Sequence, residues 1–136
     1  MGYGARGLTI LDTHVLVWLV ASPERISARG RRAIAADSEL AISMASIQEI
    51  AYLVVRGRLA MDRPLGVWIR DALAVHEVQA LPTTVPACLR AGSLDPEGFH
   101  GDPVDRLIYA TAVEHDAQLV TADGRLRKSD PARTIW

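Results

Sequence analysis

The chain has 136 residues, 49% of them hydrophobic, and a formal net charge of -1 at pH 7. That length predicts one globular domain, 1–136, and leaves little room for a second. The one cysteine, Cys88, excludes an internal disulfide, and its apolar neighbours favour a buried thiol in a reducing compartment. The near-zero charge excludes a strong overall field, so a nucleic acid would have to be held by local arginines or by metal ions.

The first seven residues are expected to form a loose N-terminal segment. They contain a G-x-G-x-x-G pattern, but it precedes the first apolar run and therefore cannot form a strand-to-helix phosphate loop. Asp12 and His14 interrupt the apolar region that faintly imitates a signal peptide. Because no apolar run approaches the length that spans a membrane, we expect a cytoplasmic protein without membrane contact.

The pattern of apolar residues predicts strands that alternate with helices along the chain. In the first half we predict a strand at 8–11, a helix at 13–21, a helix at about 27–36, a strand at 40–43, a helix at 46–58 and a helix at about 64–74. In the second half we predict a strand at 77–81, a helix at 84–92, a helix from 102 onward, a strand at 118–121, a short helix after 124 and a candidate fifth strand at 133–136. This order predicts an α/β fold, a three-layer sandwich whose central parallel sheet of four or five strands has helices on both faces.

Acidic residues follow the carboxyl ends of the predicted strands. They are Asp12, Glu49, Asp102, Asp105 and Asp123. Because the strand-to-helix loops of a parallel sheet gather at one edge, these side chains are expected to lie near one another. Mg²⁺ is commonly held by a few carboxylates and water, which leaves positions for phosphate oxygens. The pattern is therefore typical of a metal site that hydrolyses phosphodiesters.

Each acid taken alone also has a structural explanation as a helix cap. Ser46 and Glu49 match a capping box, and Asp102 followed by proline is typical of a helix start. Asp12 and Asp123 could likewise be caps, since acids favour the positive end of the helix dipole. Topology alone therefore leaves metal ligation and helix capping open.

Four segments, in order along the chain, carry a resemblance to a known family. They are L-D-T-H-V-L-V-W at 11–18, S-I-Q-E-I-A at 46–51, G-D-P-V-D-R-L-I at 101–108 and L-V-T-A-D at 119–123. From about residue 8 to residue 136 the chain resembles PIN-domain ribonucleases, and in particular the VapC-type toxins of toxin–antitoxin pairs. Gln48 departs from the tryptophan frequent in similar relatives, as Gly101 and Val104 depart from arginine and phenylalanine. These departures bear on substrate recognition and leave the carboxylates in place.

The resemblance implies a PIN-like fold and a Mg²⁺- or Mn²⁺-dependent endoribonuclease that hydrolyses RNA. It implies catalytic and metal-binding roles for Asp12, Glu49, Asp105 and Asp123, with Asp102 also at the metal site. A cognate antitoxin protein and a homodimer are the partners that it suggests. The alternative is a catalytically silent PIN-like module that only binds RNA or a protein.

Several residues beside the acids have two interpretations. Thr13 and Thr121 could orient water or a carboxylate, or could serve only the strand and cap in which they lie. Arg106 could contact phosphate, or pair with Asp102 one helical turn away. The basic run R-L-R-K at 125–128 could grip phosphate beside the metal site, or form a solvated turn.

Overall fold

The computed structural model describes residues 7–36, 38–95, 97–99 and 101–136. Its strands are β1 (Leu8–Leu11), β2 (Glu39–Ser43), β3 (Val78–Leu81), β4 (Gln118–Val120) and β5 (Thr134–Ile135). They form one fully parallel sheet in the order β3-β2-β1-β4-β5. The predicted α/β class is confirmed, with five strands. The loose segment predicted for 1–7 lies, apart from its last residue, outside the described residues.

Helices connect the strands. They are α1 (Thr13–Ala21), α2 (Ala28–Ala35), α3 (Met44–Val55), α4 (Leu65–Val75), α5 (Val85–Ser93), α6 (Pro103–Glu114) and α7 (Gly124–Ser129), with a short 3-10 turn at Pro23–Arg25. Each predicted helix is present, and the ends that differ do so by three residues or fewer. Within the described ranges, none of these helices is long and apolar enough to cross a membrane.

The central strand β1 is buried on both faces, since helices cover both sides of the sheet. Leu8 and Ile10 belong to a core layer that also contains Ile108 of α6. Leu11 belongs to a second layer with Leu16 of α1. Successive side chains of a strand point to opposite faces, and a strand covered on both faces reads as a continuous apolar run. The three-layer arrangement predicted from the sequence is therefore confirmed.

The prediction of a buried Cys88 is wrong, because its thiol lies on an exposed part of α5. Ala87 and Ala91 of this helix pack against Ala110 of α6. Neighbouring Leu89 is 68% exposed. The apolar run correctly indicated a helix, but it did not reveal that α5 covers another helix with a narrow stripe of alanines.

The strand order changes direction at β1, which lies between β2 and β4. Leu11 at the end of β1 is level with Ile42 on one side and with Val120 on the other. The strands β1, β2 and β4 therefore end at nearly the same height in the sheet. Asp12 and Thr121 are the first residues after β1 and β4. Open α/β sheets commonly bind ligands in the crevice at such a switch point.

We expect Gly30→Ala to destabilise the protein, because α2 packs closely on the sheet at this buried glycine. An added Cβ would lie 2.9 Å from Ile26 Cγ2 and 3.3 Å from Val120 Cγ1. Replacing glycine by alanine within a helix normally raises the free energy of unfolding by roughly 0.5–1 kcal/mol. At Gly30 the cost of overpacking should exceed this gain, so the free energy of unfolding measured in urea should fall by about 1–3 kcal/mol.

Gly66→Ala in α4 is the matched control, since nothing lies within 4 Å of the Cβ that it would add. This change should be neutral or stabilising. Equal gains in unfolding free energy from both substitutions would contradict the close approach of α2 to the sheet.

Candidate active site at the carboxyl edge of the sheet

An open pocket of about 470 Å³ lies at the carboxyl edge, beside the end of β1. Four acidic residues line it, and they are Asp12, Glu49, Asp105 and Asp123. They come from the starts of α1 and α7 and from the first two turns of α3 and α6. The structure thus brings together in one pocket four of the five acids that the sequence assigned to this edge.

Asp12 is held in place by two hydrogen bonds. Its Oδ1 accepts from the backbone N–H of Thr13 at 2.8 Å, which caps α1, and its Oδ2 accepts from the Thr121 hydroxyl at 2.6 Å. The buried Thr121 hydroxyl also accepts from the backbone N–H of Asp123 at 3.0 Å. Thr121 therefore orients the Asp12 carboxylate directly and contacts the backbone of Asp123, which supports the carboxylate-orienting interpretation of this residue.

Burial raises the pKa of Asp12 above its ordinary value. The hydrogen bonds from Thr121 and Thr13 lower this pKa, and the negative charge of Glu49 raises it further. Burial outweighs the hydrogen bonds because a charged carboxylate loses more hydration than two donors return.

The predicted capping box at Ser46 and Glu49 is wrong, because α3 begins earlier. Ser43 caps the helix by accepting from the N–H of Ala45 at 3.1 Å. Ser46 is buried in the first turn and accepts a hydrogen bond from the Thr13 hydroxyl at 2.9 Å. Glu49 therefore lies too far along α3 to reach the cap, and it lines the pocket instead.

Asp102 is the N-cap of α6 and accepts from the backbone N–H groups of Val104 at 2.9 Å and Asp105 at 3.2 Å. It is exposed and is not among the residues that line the pocket. It influences the pocket by fixing the start of α6 and by its charge, which acts on Asp105. Its role as a metal ligand stays a prediction.

The pKa of Asp105 is raised to about 8. Burial is the largest cause, followed by the charges of the neighbouring carboxylates, which are Asp12, Asp102, Asp123 and Glu49. A carboxylic acid that keeps its proton near neutral pH indicates a buried carboxyl group with negative charges close to it. Such perturbed groups in a pocket are typical of functional sites.

Asp123 begins α7 and, like Asp12, also serves as a helix cap. Its Oδ1 accepts from the backbone N–H of Arg125 at 2.8 Å and lies 3.7 Å from the Arg125 Nε. The Arg125 side chain is 67% exposed, so solvent weakens this ion pair. The basic run at 125–128 thus starts at the rim of the pocket, within the short helix α7.

Arg25, Trp18 and His14 also line the pocket. The Arg25 guanidinium stacks over the Trp18 ring at 4.7 Å, and Trp18 contacts His14 and Trp136 with ring centroids 5.9 Å apart in each pair. Sequence reasoning missed Arg25, because only the fold brings the turn after α1 back over Trp18.

Arg106 has a structural role that neither sequence interpretation included. Its guanidinium donates to the backbone carbonyls of Ala91 at 3.0 Å, Leu94 at 3.2 Å and Phe99 at 3.3 Å. It also lies over the Phe99 ring at 5.7 Å. These contacts tie the end of α5 and the following loop to the start of α6, which carries Asp105.

The donor chemistry of the pocket suits a hard divalent cation held together with water. Among the residues that the structure describes, no three Asp, Glu, His or Cys side chains form a ready-made ligand cluster. Mg²⁺ does not require one, since it usually keeps several waters and binds through one or two carboxylates and the phosphates of a substrate.

The fold and pocket define a small parallel α/β domain with a carboxylate-lined site where the strand order reverses. The model of the PIN domain family matches residues 9–130. Over 129 residues the chain is 41% identical to Ribonuclease VapC22 of Mycobacterium tuberculosis, an alignment that covers 93% of this chain and 97% of that protein. The chain belongs to the PIN-domain family.

Solved structures agree with this assignment. A toxin-antitoxin complex from Klebsiella pneumoniae matches with a TM-score of 0.65 at 17% identity, covering 94% of this chain and 96% of that one. VapBC2 from Rickettsia felis, bound to a DNA fragment from its promoter, matches with a TM-score of 0.67 at 16% identity, covering 93% and 96%. At such identities the likeness concerns the fold, and it confirms the PIN-like architecture expected from the sequence.

We predict that without metal the protein loses stability as pH rises towards 8. Asp105 has a pKa of about 8 in the folded protein, whereas an unfolded Asp titrates near pH ~4. Between these values the folded state binds the extra proton, so the stabilisation is full below pH ~4 and is lost as pH rises through the folded pKa.

Asp105→Asn should therefore flatten the decline in stability, measured by urea unfolding in chelator from pH 5 to pH 8.5. At pH 8.5 the variant should be more stable than wild type by about 1 kcal/mol, a value reduced for the partial exposure of the group. Identical pH slopes for the two proteins would contradict the electrostatic description of the pocket.

Proposed function

We propose that the protein is an endoribonuclease that hydrolyses RNA phosphodiester bonds with the help of Mg²⁺ or Mn²⁺. The observation that carries this proposal is the convergence of four carboxylates on one pocket, where burial and then the charges of the neighbouring carboxylates raise the pKa of Asp105 to about 8. The 41% identity to a protein named as a ribonuclease supports RNA as the substrate.

The four residues that would hold the metal are Asp12, Glu49, Asp105 and Asp123. When bound, the cation lowers the pKa of a coordinated water and neutralises negative charge on the phosphate. The covalent nucleophile of other hydrolases is not needed for this chemistry. Asp102 supports the site by fixing the start of α6 and by adding charge beside Asp105.

The chain contributes a preorganised arrangement of oxygen atoms. Thr121 and the N–H of Thr13 fix both oxygens of Asp12, and the Thr13 hydroxyl is itself tied to Ser46. These hydrogen bonds link the start of α1 to α3 and to the residue after β4, so Asp12 cannot rotate without breaking its two part-buried hydrogen bonds. A carboxylate held in this way needs little reorganisation on binding a cation, which is an advantage for catalysis.

We further propose that the protein is the toxin of a toxin–antitoxin pair, neutralised by a cognate antitoxin protein and assembled as a homodimer. Two of the structures of similar fold are named as toxin–antitoxin or VapBC assemblies. The described part of the chain carries exposed large apolar side chains that a partner would cover: Met44, Tyr52, Val55, Val75, Val85 and Leu89.

The alternative of a catalytically silent binding module is not favoured, because all four carboxylates are present in the pocket.

Purified protein should cleave RNA in Mg²⁺ or Mn²⁺ and should not cleave it in chelator. Asp12→Asn should reduce the rate by about 100-fold or more, because asparagine retains the cap but loses the charge that attracts the cation. Gel analysis of a labelled RNA measures this. Asp62→Asn is the control, since Asp62 is an exposed acid paired with Arg63 outside the pocket lining. It should cleave like wild type.

The same variants separate catalysis from capping in the cell. Expression of wild type or Asp62→Asn in bacteria should arrest growth, and expression of Asp12→Asn should not. If a folded Asp12→Asn protein still cleaves RNA and still arrests growth, the proposed function is wrong.

A further inference from the structure

Among the described residues that line the acidic pocket, Arg25 is the only one with a permanent positive charge. Its guanidinium forms no ion pair with a carboxylate in the described part of the chain, and it lies instead over the Trp18 ring at 4.7 Å. The side chain is exposed. Because the Arg25 guanidinium does not pair with the four pocket carboxylates, it is available to bind an incoming anion.

The Trp18 ring gives this cation a fixed position. Trp18 is partly buried against the core and contacts the rings of His14 and Trp136 at 5.9 Å. Arg25 ends the 3-10 turn after α1, where its own N–H donates to the Ser22 carbonyl at 2.9 Å. The backbone hydrogen bond and the contact with Trp18 both restrict Arg25, so less side-chain entropy is lost on binding than for an arginine without them.

A guanidinium that lies over an aromatic ring can still direct its N–H donors at two phosphate oxygens. RNA entering the pocket brings a phosphate at the scissile bond, next to the carboxylates, and further phosphates on either side. On the basis of the proposed ribonuclease function, we propose that Arg25, oriented by Trp18, binds a phosphate of the RNA adjacent to the scissile one. Trp18 is then a positioning residue for this contact.

A contact to a neighbouring phosphate is made equally in the bound substrate and in the transition state, so its loss weakens binding without slowing the chemical step. We expect Arg25→Gln to raise KM about tenfold and to leave kcat within about twofold, since one charge-assisted hydrogen-bonding contact is lost. The probe is a fluorescein-labelled 12-nucleotide RNA, selected from a random pool by cleavage with the wild-type protein in Mg²⁺.

Salt dependence provides a second readout, which a purely structural role would not change. Loss of one phosphate contact on a single strand should reduce the slope of log KM against log salt by ~0.7. Arg25→Lys keeps the charge and loses the planar fork, so it should restore the slope while KM stays above the wild-type value.

Arg56→Gln is the matched control, because Arg56 stacks on Tyr52 at 4.6 Å but does not line the pocket. It should leave KM, kcat and the salt slope unchanged, and thermal unfolding should show that every variant is folded. If folded Arg25→Gln matches wild type in KM and slope, or loses kcat at constant KM, the inference is overturned while the ribonuclease function stands. If wild type cleaves none of the RNA pool, the proposed function fails and the inference fails with it.

Discussion

The burial of carboxylates close to one another at the end of β1 is the physical constraint on which the site depends. The register of β1 with β2 and β4 brings the following segments to one height, and helices α3 and α6 add their acids from either side. Hydrogen bonds from Thr121 and Thr13 compensate Asp12 only in part, since its pKa remains raised. A fold that concentrates negative charge in this way is stabilised when a cation binds.

Capping and a role in the acidic pocket are compatible in this fold. Asp12 and Asp123 both cap helices through Oδ1, and both line the pocket. The cap fixes the carboxylate at the start of the helix, where the dipole also favours its negative charge. Capping by Asp12 and Asp123 is therefore compatible with the metal-binding role proposed for them, whereas Asp102 caps α6 and does not line the pocket.

The fold and the convergence of the acids could be predicted because their signals are local. β1 is a short apolar run, β3 alternates between apolar and polar residues, and Asp12 and Asp123 closely follow the ends of β1 and β4. The capping serine of α3 was misassigned because two serines lie one helical turn apart, and only the end of β2 selects Ser43. The exposure of Cys88 and the stacking of Arg25 depend on how helices and turns pack, and the periodicity of one segment does not contain that information.

Thermal unfolding of the chelator-treated protein at pH 8, with added Mg²⁺ or with choline chloride at matched ionic strength, measures whether the pocket carboxylates bind a divalent cation. Mg²⁺ at about 100 times its dissociation constant should raise the wild-type midpoint by roughly 10 °C beyond the effect of choline chloride, and should raise that of Asp12→Asn much less. A wild-type midpoint that moves equally with both salts, or equally in the variant, would show that the carboxylates of the pocket do not hold a divalent cation.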